Sequence, residues 1–238
     1  MNPHAARQQH QEREYSRPYH HLIREAGNGI PYVSLMRVAR AALSPAAGDR
    51  ILDAGCGDGR LLSELDGSGA LLYGIDTSPA ALRYAAGFNP GAMLSVQDLT
   101  ALGLADGSFT KVALIETLEH IPREAAGRAL AEVRRVLVPG GKLVVSVPST
   151  RLPQLAKHYA HFTPLELRAL LERHFTIASL AGHDRDVPPY RALVALVDNR
   201  LWHLRGGANT LLRHLFREYL ESAPPDQARR LIAICVKA

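Results

Sequence analysis

From Arg50 onward the chain alternates short runs of β-branched and aliphatic residues with longer stretches whose apolar positions recur at helical spacing. Parallel strands joined by crossover helices produce that alternation, and it predicts strands near 50–54, 70–75, 92–96, 110–115, 142–147, 175–180 and 230–236. The helices between them carry end signals. Ser78-Pro79 supplies an N-cap followed by a first-turn proline, with Gly87 placed to cap the other end. Thr163-Pro164-Leu165-Glu166 has capping-box spacing ahead of LRALLERHF, and Pro139-Gly140-Gly141 closes the helix of REAAGRALAEVRRVL before KLVVSVP.

The predicted fold is α/β, a doubly wound three-layer sandwich with a mostly parallel seven-stranded sheet. Its 238 residues fit one domain. Residues 1–45 read as an N-terminal helical cap, 46–186 as the core, 187–228 as a helical insertion or lid, and 229–238 as the final strand. Within the insertion Leu193, Leu196, Val197, Leu201 and Leu204 have helical spacing, as do Leu212, Leu215, Phe216 and Tyr219. Core packing accounts for such stripes more simply than a membrane-binding helix does.

Charge changes this picture little. The net charge of +5 is carried by the two ends, but their arginines are dispersed along expected helices with few aromatics between them. A solvated surface follows, rather than a nucleic-acid partner. No apolar run approaches the roughly 18 residues of a membrane span, the polar start MNPHAARQQHQERE has no signal-peptide core, and the two cysteines have no metal or disulfide spacing. The expectation is a soluble, cytoplasmic protein.

The candidate chemistry starts at ILDAGCGDGRLL, Ile51 to Leu62, where Gly55, Gly57 and Gly59 follow a strand that ends at Asp53. Glycines at such a turn let backbone approach a ligand. A dinucleotide loop prefers G-x-G-x-x-G; here the third glycine comes one residue early, and Asp53 and Asp58 bracket the site with negative charge. Each carboxylate would repel a pyrophosphate by about 1 kcal/mol or more, whereas both suit a cationic ligand. S-adenosylmethionine, with an ammonium, a sulfonium and no phosphate, has that character.

With DAGCGDG as its first motif, the chain resembles the class I, seven-stranded, Rossmann-like S-adenosylmethionine-dependent methyltransferases over about residues 48–180. Asp76 ends the second strand, nineteen residues after Gly57, where a carboxylate can accept from both ribose hydroxyls. The resemblance implies that Asp98 accepts from the adenine amine, that the Leu99 amide meets a ring nitrogen, and that Glu116 lies beside the methionine part of the cofactor. The expected cofactor residues are therefore Asp53, Gly55, Gly57, Asp76, Asp98, Leu99 and Glu116. Cys56, with no activating partner in view, reads as a packing residue.

Methyl transfer from a sulfonium releases a neutral thioether, so positioning carries most of the rate. An oxygen or nitrogen acceptor can still require a base, and His120 in ETLEHIP is the candidate base or acceptor contact. His158 and His161 in KHYAHF, together with Tyr19 in the N-terminal stretch, are candidate substrate contacts. Tyr15, Tyr19, His20 and His21 could fold over the cofactor or staple a surface helix. No metal is expected; the alternative set Glu116, Glu119, His120 and His161 resembles that of metal-dependent small-RNA 2′-O-methyltransferases. The expected function is methyl transfer to a small-molecule acceptor. An RNA methyltransferase, a non-catalytic cofactor-binding module and a nicotinamide-dependent oxidoreductase are the rivals.

Overall fold

The computed structural model describes residues 12–198 and 206–238. The chain forms α1 (Ile30–Leu43), β1 (Arg50–Ala54), α2 (Arg60–Leu65), β2 (Leu71–Asp76), α3 (Pro79–Phe88), β3 (Met93–Val96), β4 (Phe109–Ile115), α4 (Arg123–Val136), β5 (Leu137–Pro148), α5 (Pro164–Leu171), β6 (Thr176–Arg185), α6 (Pro188–Val197), α7 (Gly207–Tyr219), β7 (Ser222–Ala223) and β8 (Ala228–Val236). The expected end signals work at two places. Ser78 Oγ accepts from the Ala81 amide at the start of α3, and Thr163 and Glu166 form the reciprocal capping box of α5.

One expected cap is corrected. α3 runs past Gly87 and ends at Asn89, whose side-chain amide donates to the carbonyls of Gly59 and Ala85. The helix end is thus fixed by a tertiary contact that no local signal announces.

The sheet has eight strands in the order β3-β2-β1-β4-β5-β8-β6-β7. β1 to β5 are parallel, while β8 runs antiparallel to β5 and β6, and β7 antiparallel to β6. The expected mostly parallel seven-stranded sheet is therefore corrected to a mixed one. The extra strand is only two residues long, pairing Gly182 with Ala223 and His183 with Ser222. It lies inside the segment expected to be wholly helical, and so short a run has no readable period.

Two helical layers cover the sheet. Leu35, Met36 and Leu43 of α1 and Leu61, Leu62 and Leu65 of α2 pack on one face. Ala126, Leu130 and Val133 of α4 and Leu167 and Leu171 of α5 pack on the other. α6 and α7 bury Val194, Val197, Leu212 and Phe216 against Ile30, so the helical stripe makes a small core of its own, as expected. Leu196 and Tyr219 depart from that stripe and are exposed; Leu201 and Leu204 lie outside the described residues. No helix among the described residues is long and apolar enough to cross a membrane.

The order β3-β2-β1-β4-β5 reverses direction between β1 and β4. Loops leaving the carboxyl ends of those two strands diverge to opposite faces and open a crevice, where ligands of doubly wound sheets bind. Both the glycine loop and ETLEHIP leave the sheet at this point.

Candidate active site

The crevice is a cavity of about 1390 Å³ lined by the loops after β1, β2 and β4, by an N-terminal strap and by the segment following β5. That exceeds the roughly 300–1,000 Å³ usual for one small ligand and leaves room for a cofactor with an acceptor beside it.

The glycine loop is anchored at its root, where the Gly55 and Cys56 amides both donate to the Ile75 carbonyl, at 2.8 and 2.9 Å. Gly55 has φ +84°, and a Cβ there would run into the Thr117 side chain. Gly57 has φ +54°, and a Cβ there would stand 2.6 Å from Tyr15 Oη. Both positions require glycine twice over, by backbone conformation and by space. The Cys56 thiol is buried and its pKa is raised well above the usual value by burial, which leaves it inert as a nucleophile.

Asp53 is 2% exposed, lines the cavity, and its Oδ2 has no partner among the described residues. Burial first, and then the nearby Asp76, push its pKa up to about 8. A buried acceptor with no donor is costly to leave so, and a cationic group entering the cavity would satisfy it. Asp76 accepts from the Gly57 amide at 2.9 Å and the Ser78 amide at 2.8 Å. It joins the loop to the end of β2, and its remaining lone pairs suffice for hydroxyl donors. Burial raises its pKa, and the two amides act against that. Asp98 is exposed at the cavity edge and caps its own turn through Thr100, while Leu99 is buried beneath it.

Asp58 does not bracket the ligand site. Its side chain has no exposure, and it holds the strap instead. Oδ2 accepts from the backbone amides of His20 and His21 at 2.9 and 3.3 Å, and Oδ1 lies 3.2 Å from His21 Nδ1. Burial opposes its ionisation, but the hydrogen bonds from His20 and His21 outweigh it and hold the carboxyl well below the usual range. The strap is thereby laid across the glycine loop. Tyr15 packs on Ala80 and Ala81, Tyr19 stacks near Tyr15 with ring centroids 5.2 Å apart, and Lys157 Nζ stands 5.5 Å from the Tyr19 ring. Of the two readings open in the sequence, the pocket cover is the one observed. Tyr19 lines the cavity with His20 and Tyr32.

At the end of β4, Glu116 takes φ +52°, a left-handed conformation that costs a non-glycine residue about 1–3 kcal/mol and recurs at functional sites. Its amide donates to Ser146, and its carboxylate accepts from Ser146 Oγ at 3.0 Å and from Arg230 Nε at 3.1 Å. Arg230 also reaches Asp184 Oδ2 at 3.1 Å. This pair of acids on one guanidinium, with Asp184 buried and Glu116 half-buried, was missed by sequence reading. Its only trace was a charged ARR at the head of the otherwise apolar last strand.

ETLEH does not form the α-helical turn that would set residues i, i+3 and i+4 on one face. Leu118–His120 is a 3-10 turn, and Glu116 faces Ser146 and Arg230. The alternative ligand set Glu116, Glu119, His120 and His161 is accordingly not assembled. His161 lines the cavity with both ring nitrogens engaged: its Nε2 lies 2.8 Å from His158 Nδ1 and its Nδ1 lies 3.0 Å from the Leu152 carbonyl. His120 also faces the cavity, with its ring 4.7 Å from that of His158 and nearly perpendicular to it. Burial first, then His158, pushes the His120 pKa down to about 3; burial and His161 push that of His158 down to about 4. Both imidazoles are neutral near pH 7.

Residues 52–145 match the family model described as a methyltransferase domain. Over that stretch, less than half of the 238 residues, the chain resembles a methyltransferase domain. The chain is similar, at 39% identity over 105 residues, to a ubiquinone biosynthesis O-methyltransferase of Nitrosococcus oceani; the match covers 42% of this chain and 44% of the relative. It is 32% identical over 156 residues to a demethylmenaquinone methyltransferase of Corynebacterium kroppenstedtii, covering 66% of this chain and 64% of the relative. The chain thus spans less than two thirds of the length of these relatives. The methyltransferase fold also matches a possible histamine N-methyltransferase of Thermotoga maritima, with TM-score 0.61 and 17% identity over 87% of this chain and 89% of the other. It matches the [4+2]-cyclase SpnF with TM-score 0.60 and 18% identity, over 85% and 79%. One fold thus serves proteins named for different reactions, so activity is decided by the residues of the site.

Proposed function

We propose that the protein is an S-adenosylmethionine-dependent methyltransferase acting on an oxygen or nitrogen of a small organic acceptor. The observation that carries this reading is the buried Asp53 carboxylate at the floor of a glycine turn, whose Oδ2 has neither a hydrogen-bond partner nor a fixed cation beside it among the described residues. Such a group accepts an ammonium and repels a pyrophosphate. In this reading Asp53 holds the amino-acid ammonium, Gly55 and Gly57 admit the cofactor close to backbone, Asp76 takes the ribose hydroxyls, Asp98 and the Leu99 amide meet the adenine, and Glu116 flanks the methionine part. The bound cofactor supplies an electrophilic methyl on a sulfonium.

The chain's own residues orient and desolvate. Tyr15, Tyr19 and His20 on the latched strap close one side of the crevice and exclude water. His120 and His158 stand at the acceptor end as neutral imidazoles whose lone pairs can receive a hydrogen bond from an acceptor O–H or N–H. Tyr32, Ile121, Leu152, Pro153 and Leu155 add apolar walls. An acceptor with an apolar ring and one nucleophilic oxygen or nitrogen fits them, which agrees with the quinone-related names of the relatives.

The test is parallel calorimetry with S-adenosylmethionine, S-adenosylhomocysteine and NADPH, followed by mass-spectrometric product analysis with a panel of hydroxylated aromatic acceptors. Binding of both adenosyl ligands without NADPH, and formation of a methylated product, is the expected result. Preference for NADPH removes the reading; adenosyl binding with no transfer to any acceptor leaves the non-catalytic module in its place.

A further inference from the structure

Three polar side chains, Glu119, His120 and His158, stand together at the acceptor end. Glu119 Oε2 and His120 Nδ1 are both buried and without a partner among the described residues, and Glu119 is 1% exposed. One donor atom each from Glu119, His120 and His158 lies within 4.8 Å of the other two.

The tautomers follow from hydrogen bonds made outside this cluster. His161 Nδ1 faces the Leu152 carbonyl, which can only accept, so the proton is on Nδ1 and Nε2 is bare. His158 Nδ1 therefore donates to that bare nitrogen at 2.8 Å, and His158 Nε2 is left as a lone pair. His158 thus spends its N–H on an outer acceptor and keeps its other nitrogen for a ligand, the arrangement seen around metal-ligating histidines. His120 Nδ1 is buried and has no partner among the described residues, so it is open to a ligand.

We propose that Glu119, His120 and His158 bind a divalent first-row transition-metal ion at the acceptor end of the crevice. Two imidazole nitrogens and one carboxylate oxygen suit zinc, cobalt or ferrous iron, and disfavour magnesium, which demands oxygen ligands. Bonds of about 2.0–2.2 Å would place neighbouring donors about 3–3.5 Å apart, so closure takes side-chain shifts on the order of 1 Å. Three protein ligands leave positions open towards the cavity, where an acceptor oxygen could bind. Glu116 and His161 are not ligands: the first is tied to Ser146 and Arg230, and the second orients His158. The site itself does not depend on the methyltransferase reading.

The experiment uses the full-length protein, stripped with chelator and titrated with Co²⁺ alone, read by visible d–d absorption and by calorimetric stoichiometry. The expected result is one Co²⁺ per chain with an absorption band of a site containing nitrogen ligands. His158→Ala and Glu119→Gln should each abolish the band. His161→Ala should weaken Co²⁺ binding by about 10- to 100-fold, as loss of an outer-shell orienter does. Glu116→Gln should leave Co²⁺ affinity unchanged. Retained S-adenosylhomocysteine binding and circular dichroism identify folded variants, and His158→Ala, at a site on the cavity wall, serves where Glu119→Gln does not fold. The proposal is overturned if the wild-type protein takes up no stoichiometric Co²⁺, if folded His158→Ala keeps the band, or if Glu116→Gln loses it.

Discussion

Replacing Asp58 by alanine should release the strap without touching any residue that faces the ligand. The wild-type carboxylate accepts two backbone amides, from His20 and His21, and pairs with the His21 ring. An amide left without an acceptor in a part-buried place costs about 1–3 kcal/mol, so two such losses set a ceiling of about 2–6 kcal/mol. The strap can peel off and rehydrate its amides, and the cost then appears as opening rather than global unfolding. Against opening stand the Tyr15 contacts, the Lys157–Glu14 ion pair at 2.7 Å and the Tyr84 hydroxyl bond to the Ser16 carbonyl at 3.0 Å. Taking the low end, about 2 kcal/mol, the open population should rise about 30-fold. Trypsin under conditions of fast reclosing reads that population at Arg13 and Arg24, the bond after Arg17 being blocked by Pro18. Cleavage there should accelerate by about that factor, and S-adenosylhomocysteine affinity should fall with it, while Asp58→Asn, which keeps one acceptor oxygen, should sit between. Unchanged cleavage and unchanged affinity in Asp58→Ala would refute the latch. Because the folded pKa of Asp58 is depressed, its contribution is fully present above its unfolded value of about 3.9 and is lost as pH falls through the folded value, so the latch should hold at pH 5.

Two further outcomes are expected. With Asp53 titrating at about 8 in the free protein, binding of a cationic amino acid group at neutral pH should release close to one proton, seen as a dependence of calorimetric enthalpy on buffer ionisation, and affinity should rise with pH up to about 8. The same raised pKa means that this group lowers ligand-free stability as pH rises from about 4 to 8; Asp53→Asn should abolish both effects, and proton release identical to wild type in that variant would exclude Asp53 as the partner. Arg230→Met strips the shared cation from Glu116 and Asp184, of which Asp184 keeps Arg229 at 3.3 Å. Urea unfolding should show a loss of about 3 kcal/mol, the low end for breaking a buried pair, and a loss under about 1 kcal/mol would show the network to be dispensable.

Much of the site could be read locally because its residues are tied to strand ends. Asp53, Asp76 and Glu116 each close a parallel strand, and hydrophobic runs mark such ends plainly. Gly55 and Gly57 were readable since only glycine takes positive φ there without clash. Asp58 shows the boundary. A carboxylate three residues from a glycine looks the same in sequence whether it faces a ligand or a strap, and the choice is made by residues 37 and 38 positions away.

The sequence by itself determined the alternating layers and the acidic glycine turn, because these depend on residue period and backbone conformation, both local properties. Only the tertiary structure decided which lone pairs meet. Arg230 reaches Glu116 across 114 positions, and the orientations of His158 and His161 rest on a carbonyl at Leu152 and a 3-10 turn after β4. Hydrogen bonds and ion pairs are set by distances of a few ångströms between segments far apart in the chain, and no periodicity encodes them.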